Sequence, residues 1–203
     1  MLSDFYDSIT PYFGFVGRAF ESRARVLSLK LARLGRGVRL LIVSPPSEYF
    51  VKCVLRANQS GETHLACFSP GAARFARGKW RNHPALKTCL ATPEHLPFDT
   101  GSLDVVLAYC YLDFVPPETS RAAAGELRRV LRGGGRALGT YLAPPRTTFE
   151  RVSVFVTTRV PWLMPGVRVV QVANHLKGAG FSSVKIYRCP QLGMPVELFH
   201  AIA

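Results

Sequence analysis

The stretch that decides the fold lies between residues 94 and 135. It opens with EHLPFDTGSLDVV at residues 94–106 and closes with ELRRVLRGGG at residues 126–135. The apolar run at residues 103–109 predicts a buried strand, because it is short and is preceded by turn-forming residues. The alanine-rich run at residues 119–131 predicts a helix, and the three glycines that follow are expected to end it.

Outward from this stretch, apolar runs and helical periodicities alternate along the chain. Further strands are expected at residues 38–43, 62–68, 87–91, 136–142, 183–187 and 196–202. Further helices are expected at residues 15–34, 48–57, 71–79 and 172–179. Strands that alternate with helices at this spacing are typical of βαβ units and of a mostly parallel sheet, and the last two strands are expected to form an antiparallel pair.

Length and composition restrict the kind of protein. The chain has 203 residues, of which 48% are hydrophobic and 19% charged, enough for one domain with a full core. No run reaches the roughly 18 apolar residues of a membrane-spanning helix, and no signal peptide is visible. Five cysteines without a Cys-x-x-Cys spacing indicate reduced thiols and a cytoplasmic location, with peripheral attachment to a membrane or a large complex left open. The scattered histidines predict no metal site.

The positive charge is concentrated in the first part of the chain. The formal net charge is +13, from 26 basic and 13 acidic residues. Residues 1–87 hold 14 basic and 5 acidic residues, a net charge of +9, which leaves +4 for residues 88–203. An anionic surface or an acidic protein partner is therefore expected to meet the N-terminal half. Nucleic acid is the less favoured partner, because the excess is local, and a general arginine bias remains an alternative explanation.

Several segments resemble class I S-adenosylmethionine-dependent methyltransferases of the ubiquinone and menaquinone C-methyltransferase type. Residues 94–106 are similar to the family's Leu-Pro-Phe segment with its acidic turn and Asp-Val-Val end. Residues 126–135 are similar to its Glu-x-x-Arg-Val-Leu-x-Pro-Gly-Gly segment, with Gly133 where proline is usual. Residues 176–184 resemble its Leu-x-x-Ala-Gly-Phe-x-x-Val segment, and residues 6–12 resemble its N-terminal tyrosine and Tyr-Asp pattern.

The resemblance implies an α/β fold with a Rossmann-like, seven-stranded, mostly parallel sheet and a reversed last strand. It also implies a ligand site at the carboxyl ends of the first strands. One domain is expected over residues 1–203. It divides into an aromatic and basic helical segment at residues 1–37, a Rossmann-like core at 38–142, and an apolar cap segment with the C-terminal strands at 143–203.

At the cofactor positions that the resemblance implies, this chain carries other residue types. Ile42 stands at the acidic position of the first strand, and Ser44-Pro-Pro-Ser replaces the glycine-rich loop. Cys67 stands where an acid would bind the ribose hydroxyls, and Thr92 stands where an aspartate would meet the adenine, with His95 close by. Prolines remove N–H donors, and a thiol does not accept a diol's hydrogen bonds as a carboxylate does. No cofactor is therefore assigned, and S-adenosylmethionine stays an open alternative.

Candidate ligand-pocket residues lie at the end of the strand at residues 103–109 and just after it. Tyr109, Tyr111 and Asp113 stand where the family places substrate-facing residues, although aromatic packing under a helix explains the two tyrosines equally well. Residues 153–170 are unusually apolar. With the aromatic residues at 5–15, they are expected either to cover a lipophilic ligand or to dock on a membrane or a protein partner. An ordinary core helix and strand is the alternative.

The sequence thus supports three functions. The first is a methyltransferase-fold protein with a degenerate cofactor site, which serves as a non-catalytic or altered-ligand accessory or partner-binding subunit. The second is an active methyltransferase on a lipophilic small molecule, so that enzymatic activity is undecided and no catalytic residue is assigned. The third is a basic module that binds nucleic acid or an anionic surface. The family-like residues Asp104, Glu126 and Arg129 are expected to serve packing and capping.

Overall fold

The computed structural model of the chain describes residues 7, 22–45, 47–109, 111–159 and 168–203. Its strands are β1 (Arg39–Val43), β2 (Glu62–Cys67), β3 (Leu86–Leu90), β4 (Leu103–Tyr109), β5 (Leu131–Leu142), β6 (Ser183–Arg188) and β7 (Val196–Ile202). Its helices are α1, described over residues 22–32, α2 (Glu48–Ala57), α3 (Pro70–Trp80), α4 (Pro117–Val130), α5 (Thr148–Arg159) and α6 (Val172–Gly178). The predictions made for residues 5, 6, 8–21, 46 and 160–167 lie outside the described residues.

The strands form one seven-stranded sheet in the order β3-β2-β1-β4-β5-β7-β6. β1 pairs in parallel with β2 and β4, and β2 with β3 and β4 with β5 are parallel pairs as well. β7 runs antiparallel to both of its neighbours, β5 and β6. The predicted mostly parallel sheet with a reversed last strand is confirmed. Strand order changes direction at β1 and β4, so that the carboxyl ends of these strands border a crevice of the kind in which open α/β sheets bind ligands.

Helices cover both faces of the sheet. α1, α2 and α3 contribute buried residues to one core cluster, and α4 and α6 contribute to the cluster on the other face. The sequence of β1 explains why both faces are covered, since Leu40, Leu41, Ile42 and Val43 alternate between the faces and all are fully buried. In the described ranges, no helix has the length and apolar character needed to cross a membrane.

The start of β5 differs from the expected one. The strand begins at Leu131, immediately after α4, and not at residue 136. Leu131 pairs with Leu103, and the register then jumps to the pair Arg136 and Val105, so residues 132–135 form a bulge. Gly134 lies in this bulge at a φ of +74°, a conformation that glycine adopts without strain. The glycines therefore shape the entry into the strand and do not separate it from the helix.

The family-like segment at residues 94–106 is held by side chains of α4. Arg129 donates hydrogen bonds to the carbonyl oxygens of Phe98 (2.8 Å) and Leu96 (3.0 Å). Glu126 pairs with Arg129 (2.7 Å) and accepts the backbone N–H of Leu96 (2.9 Å). Asp104 likewise accepts the backbone N–H of the first residue of β1 (2.7 Å). The expectation that these residues serve packing and capping is confirmed.

Candidate functional site

The loop after β1 lacks glycine, and its described residues are buried. Ser44 is 3% exposed, and its hydroxyl donates to the carbonyl oxygen of Pro45 (3.0 Å). Ser47 precedes α2 in an extended conformation and is 1% exposed. Its Oγ makes no hydrogen bond among the described residues, although a serine at this position ordinarily accepts an N–H of the first turn. Few buried polar atoms in folded proteins lack a hydrogen-bond partner, so the Ser47 hydroxyl is an exception in this loop.

The end of β2 carries a neutral thiol. Cys67 is 1% exposed, and burial, with a smaller contribution from Cys89, raises the pKa of its thiol to about 12. The thiol therefore stays protonated at physiological pH, where it is a weak donor and a weak acceptor. Thus the end of β2 presents neither a charge nor a strong hydrogen-bond acceptor.

A carboxylate from the N-terminal segment reaches the neighbouring helix. Asp7 accepts hydrogen bonds from the Ser69 hydroxyl and from the backbone N–H of Ala72 (3.2 Å), at the N-terminus of α3. A Cβ at Gly71 would lie 2.6 Å from the Asp7 Cγ, so the glycine is needed for this approach. In the sequence, Asp7 stands out only as part of a family resemblance, because its partners lie more than 60 residues away.

Thr92 and His95 form a small bridge after β3. The Thr92 N–H donates to the His95 carbonyl oxygen (3.2 Å), and the His95 N–H donates to that of Thr92 (3.1 Å). Both residues are exposed, whereas Pro93 between them is buried and accepts the Tyr111 hydroxyl (2.8 Å). The bridge is therefore a tight turn fastened to the segment that follows β4.

The end of β4 is packed against α1. Tyr109 is fully buried, and its hydroxyl hydrogen-bonds the Ser28 hydroxyl. Arg25 is 5% exposed, and its guanidinium carbon lies 5.2 Å from the ring centroid of Tyr109 and 5.1 Å from that of Phe50. A buried guanidinium over two aromatic faces gains a cation–π interaction that offsets part of its desolvation. No sequence motif indicates the roles of Arg25, Ser28 and Phe50.

Tyr111 and Asp113 also face the interior. The Tyr111 ring stacks on Phe68, with a centroid distance of 5.4 Å, and is fully buried. The Asp113 carboxylate accepts the backbone N–H of Leu142 (3.0 Å), and its carbonyl oxygen accepts that of Arg168 (2.8 Å). Asp113 thus joins the end of β5 to the segment that returns after α5. None of the three predicted pocket side chains is exposed, since Tyr109, Tyr111 and Asp113 are at most 2% accessible.

Comparisons with known proteins agree with this topology. Residues 48–139 match the methyltransferase domain family, a match that covers part of the chain. One similar solved structure is the complex between the Haloferax volcanii Trm112 methyltransferase activator and its candidate methyltransferase. A chain of this complex superposes with a TM-score of 0.76 at 14% identity, over 98% of this chain and 97% of that one. The fold is that of a class I methyltransferase. No curated protein sequence matches significantly.

Two other solved structures are similar in fold to this chain. The [4+2]-cyclase SpnF has a TM-score of 0.74 at 17% identity, over 98% of this chain and 94% of that one. The YcgJ protein of Bacillus subtilis has a TM-score of 0.68 at 14% identity, over 89% of this chain and 97% of that one.

The fold brings the predicted positions to one edge of the sheet. Val43 at the end of β1 pairs with Ala66 of β2 and Ala108 of β4, so Ser44, Cys67 and Tyr109, each one residue further on, lie at three adjacent strand ends. Thr92 follows the next strand, β3. Among the described residues, no group of three histidine, cysteine, aspartate or glutamate side chains could hold a metal ion.

Proposed function

We propose that this class I methyltransferase-fold protein does not bind S-adenosylmethionine in the ordinary way and works as a non-catalytic or altered-ligand subunit. The observation that carries this proposal is the buried, neutral Cys67 thiol at the end of β2. In the family that the sequence resembles, an acid at this position binds both ribose hydroxyls. A carboxylate accepts two charge-assisted hydrogen bonds there, whereas a protonated thiol accepts a weak one at most.

The loop after β1 supports the same conclusion. Between Ser44 and Ser47 the chain has two prolines and no glycine, so it lacks N–H donors and carries ring atoms where a cofactor's methionine part would approach the backbone. Ser44 and Ser47 are almost inaccessible, as is Cys67. These residues fit neither the shape nor the hydrogen-bonding needs of S-adenosylmethionine.

The same edge retains features that suit a different ligand. The buried Ser47 hydroxyl has no protein partner in the described part of the chain, and it lies at the N-terminus of a ten-residue helix. A helix N-terminus favours an acceptor or an anion, but such a group of an altered ligand would meet the buried Ser47 hydroxyl only if the loop after β1 moved aside.

Two solved structures of similar fold are named for a different reaction and for a protein complex. SpnF is named as a [4+2]-cyclase, and the Haloferax volcanii structure is a complex with a methyltransferase activator. These names support, for this chain, a reaction other than ordinary methyl transfer or a place in a protein complex.

Thermal unfolding of the full chain with S-adenosylmethionine and with S-adenosylhomocysteine tests the proposal. A ligand present at about 100 times its Kd stabilises a protein by about 2.7 kcal/mol, which for a chain of this size raises Tm by roughly 5–10 °C. We expect no rise with either compound at millimolar concentration. A rise of that size with either one would overturn the proposal.

A second candidate function is an active methyltransferase on a lipophilic small molecule, and it is favoured by Asp7. This carboxylate lies at the start of α3, just beyond the end of β2, where it could accept the hydrogen bonds that Cys67 cannot. If Asp7 does so, wild-type protein binds S-adenosylhomocysteine and Asp7→Asn weakens binding at least tenfold, whereas Asp104→Asn at the amino edge of the sheet leaves it unchanged. Equal affinities of wild type and Asp7→Asn would dismiss this role.

A further inference from the structure

Basic side chains gather towards the amino end of β5, away from the candidate ligand site at the carboxyl edge of the sheet. Arg136 of β5 pairs with Ile202 of β7, and His200, two residues earlier on β7, pairs with Lys185 of β6. Paired residues of adjacent strands share a face of the sheet, as do residues two positions apart on one strand. Arg136, His200 and Lys185 therefore lie on one face of the sheet.

Two further arginines adjoin these three residues. Arg33 directly follows α1, which packs on this face, and Arg132 lies in the bulge before Arg136. Burial, and after it the charges of Arg33 and Arg132, lowers the pKa of the Arg136 guanidinium. Burial and three cationic neighbours, Arg136 first among them, likewise lower the pKa of His200. We call Arg33, Arg132, Arg136, Lys185 and His200 the basic cluster.

One carboxylate side chain of the described residues accompanies the basic cluster, and it is already bound. Asp104 pairs with the Arg132 guanidinium (2.8 Å), and its other oxygen accepts the backbone N–H of Arg39 (2.7 Å). In the described ranges, no ion pair joins the other members of the cluster to an acid. Four cationic side chains and one carboxylate leave a net side-chain charge of +3 when His200 is neutral.

Two buried nitrogen atoms of the basic cluster have no hydrogen-bond partner among the described residues. They are Arg136 Nε and His200 Nε2. Buried polar atoms of folded proteins nearly always have such a partner, and a cation partly removed from water needs an opposite charge. A water molecule would bind either nitrogen but would leave the repulsion between the cations. An oxyanion meets both needs, because it accepts the hydrogen bonds and supplies the compensating charge.

We propose that the basic cluster binds a phosphate group, carried by inorganic phosphate or by a phosphorylated small molecule. The Arg136 guanidinium presents parallel N–H donors that match two phosphate oxygens, and His200 donates from Nε2 to the same group. Diagonal neighbours on adjacent strands are about 7–8 Å apart, so one phosphate between these two side chains is within reach of both. Lys185 and Arg33 are exposed and add positive charge at the rim. The proposal does not depend on whether S-adenosylmethionine binds.

Thermal unfolding of the full chain in sodium phosphate and in sodium chloride of equal ionic strength tests this site. A ligand at about 100 times its Kd raises Tm by roughly 5–10 °C for a chain of this size, and we expect such a rise in phosphate alone. Phosphate should also raise the pKa of His200 by about one unit or more in an NMR titration, because a bound dianion favours the charged imidazole.

Variants separate this site from a general effect of anions on a basic protein. Arg136→Met should raise the phosphate Kd at least tenfold, since it removes charged hydrogen bonds. Lys185→Gln, at an exposed position of the edge strand, should raise it about two- to fivefold. The matched controls Arg74→Met on α3 and Lys177→Gln on α6 change the same residue types at exposed positions and should leave the Kd unchanged.

Equal Tm values in phosphate and chloride would overturn the proposal, as would a phosphate effect that Arg136→Met retains in full. If Arg136→Met does not fold, an unchanged Kd in Lys185→Gln together with an unmoved pKa of His200 would overturn it. Phenyl phosphate distinguishes the two sources of the group. A monoester that binds as tightly as inorganic phosphate assigns the site to a phosphorylated molecule, and one that binds much more weakly assigns it to the free ion.

Discussion

Placing a carboxylate at the end of β2 tests how this edge of the sheet is built. Cys67 is 1% exposed, and burial raises the pKa of its thiol from 9.0 to about 12. A similar desolvation would raise the pKa of an aspartate side chain from about 4 to about 7. Because the unfolded chain ionises that group near pH 4 and the folded chain only near pH 7, Cys67→Asp should lose about 2–4 kcal/mol of stability at pH 7.

The matched control for this change is Cys67→Asn, which has the same shape without the charge. Chemical unfolding followed by circular dichroism should show the aspartate variant 2–4 kcal/mol less stable than the asparagine variant at pH 7, a difference in Tm of roughly 5–15 °C. The difference should shrink as the pH falls towards about 4, where the carboxyl is protonated in both states. Addition of S-adenosylhomocysteine should not restore the lost stability.

Equal stability of the two variants at pH 7 would refute this reasoning. It would mean that water reaches the carboxylate and that the end of β2 borders an open cleft. Recovery of stability with S-adenosylhomocysteine would show further that one carboxylate suffices to rebuild the ribose contact, and that the loop after β1 is no obstacle.

Three further predictions concern the framework of the fold. Arg129→Ala should lower the free energy of unfolding by about 2–3 kcal/mol, because the carbonyl oxygens of residues 96 and 98 lose a charged donor and Glu126 loses its partner. A decrease below about 0.5 kcal/mol in chemical unfolding would show that these contacts are dispensable. Gly139→Ala should prevent stable folding, since its Cβ would lie 2.7 Å from the Phe199 ring, whereas Gly133→Ala, with no atom within 4 Å, should fold normally. Tm should fall as the pH drops below about 6.5. Burial lowers the pKa of three histidines in the folded state, so the unfolded chain binds protons at a higher pH than the folded chain does. A Tm that stays constant from about pH 7 to about pH 5.5 would contradict this. These histidines are His64, His175 and His200.

Local sequence patterns predict the helices and strands whose own apolar residues form a clear buried side. The helix at residues 48–57 and the strands at 103–109 and 196–202 have the bounds that periodicity indicates. The start of β5 was wrong by five residues, because it depends on pairing with Leu103 across a bulge. That pairing depends on the partner strand and leaves no periodic signal in residues 131–135.

The candidate site is predictable in position and less so in its contacts. The family resemblance assigns the cofactor positions to Ser44, Cys67 and Thr92, and the structure has Ser44 after β1, Cys67 as the last residue of β2 and Thr92 after β3. The contact between Ser28 and Tyr109 joins residues 81 apart, and that between Glu150 and Arg188 joins residues 38 apart. Such contacts leave no local pattern.

Isothermal titration calorimetry of S-adenosylhomocysteine into the wild-type chain tests the central claim most directly. Because of the thiol at the end of β2 and the proline-containing loop after β1, we expect no saturable heat of binding. The Kd should therefore exceed about 1 mM, so that the binding free energy is less favourable than about −4 kcal/mol. A one-to-one isotherm with a micromolar Kd would contradict the account.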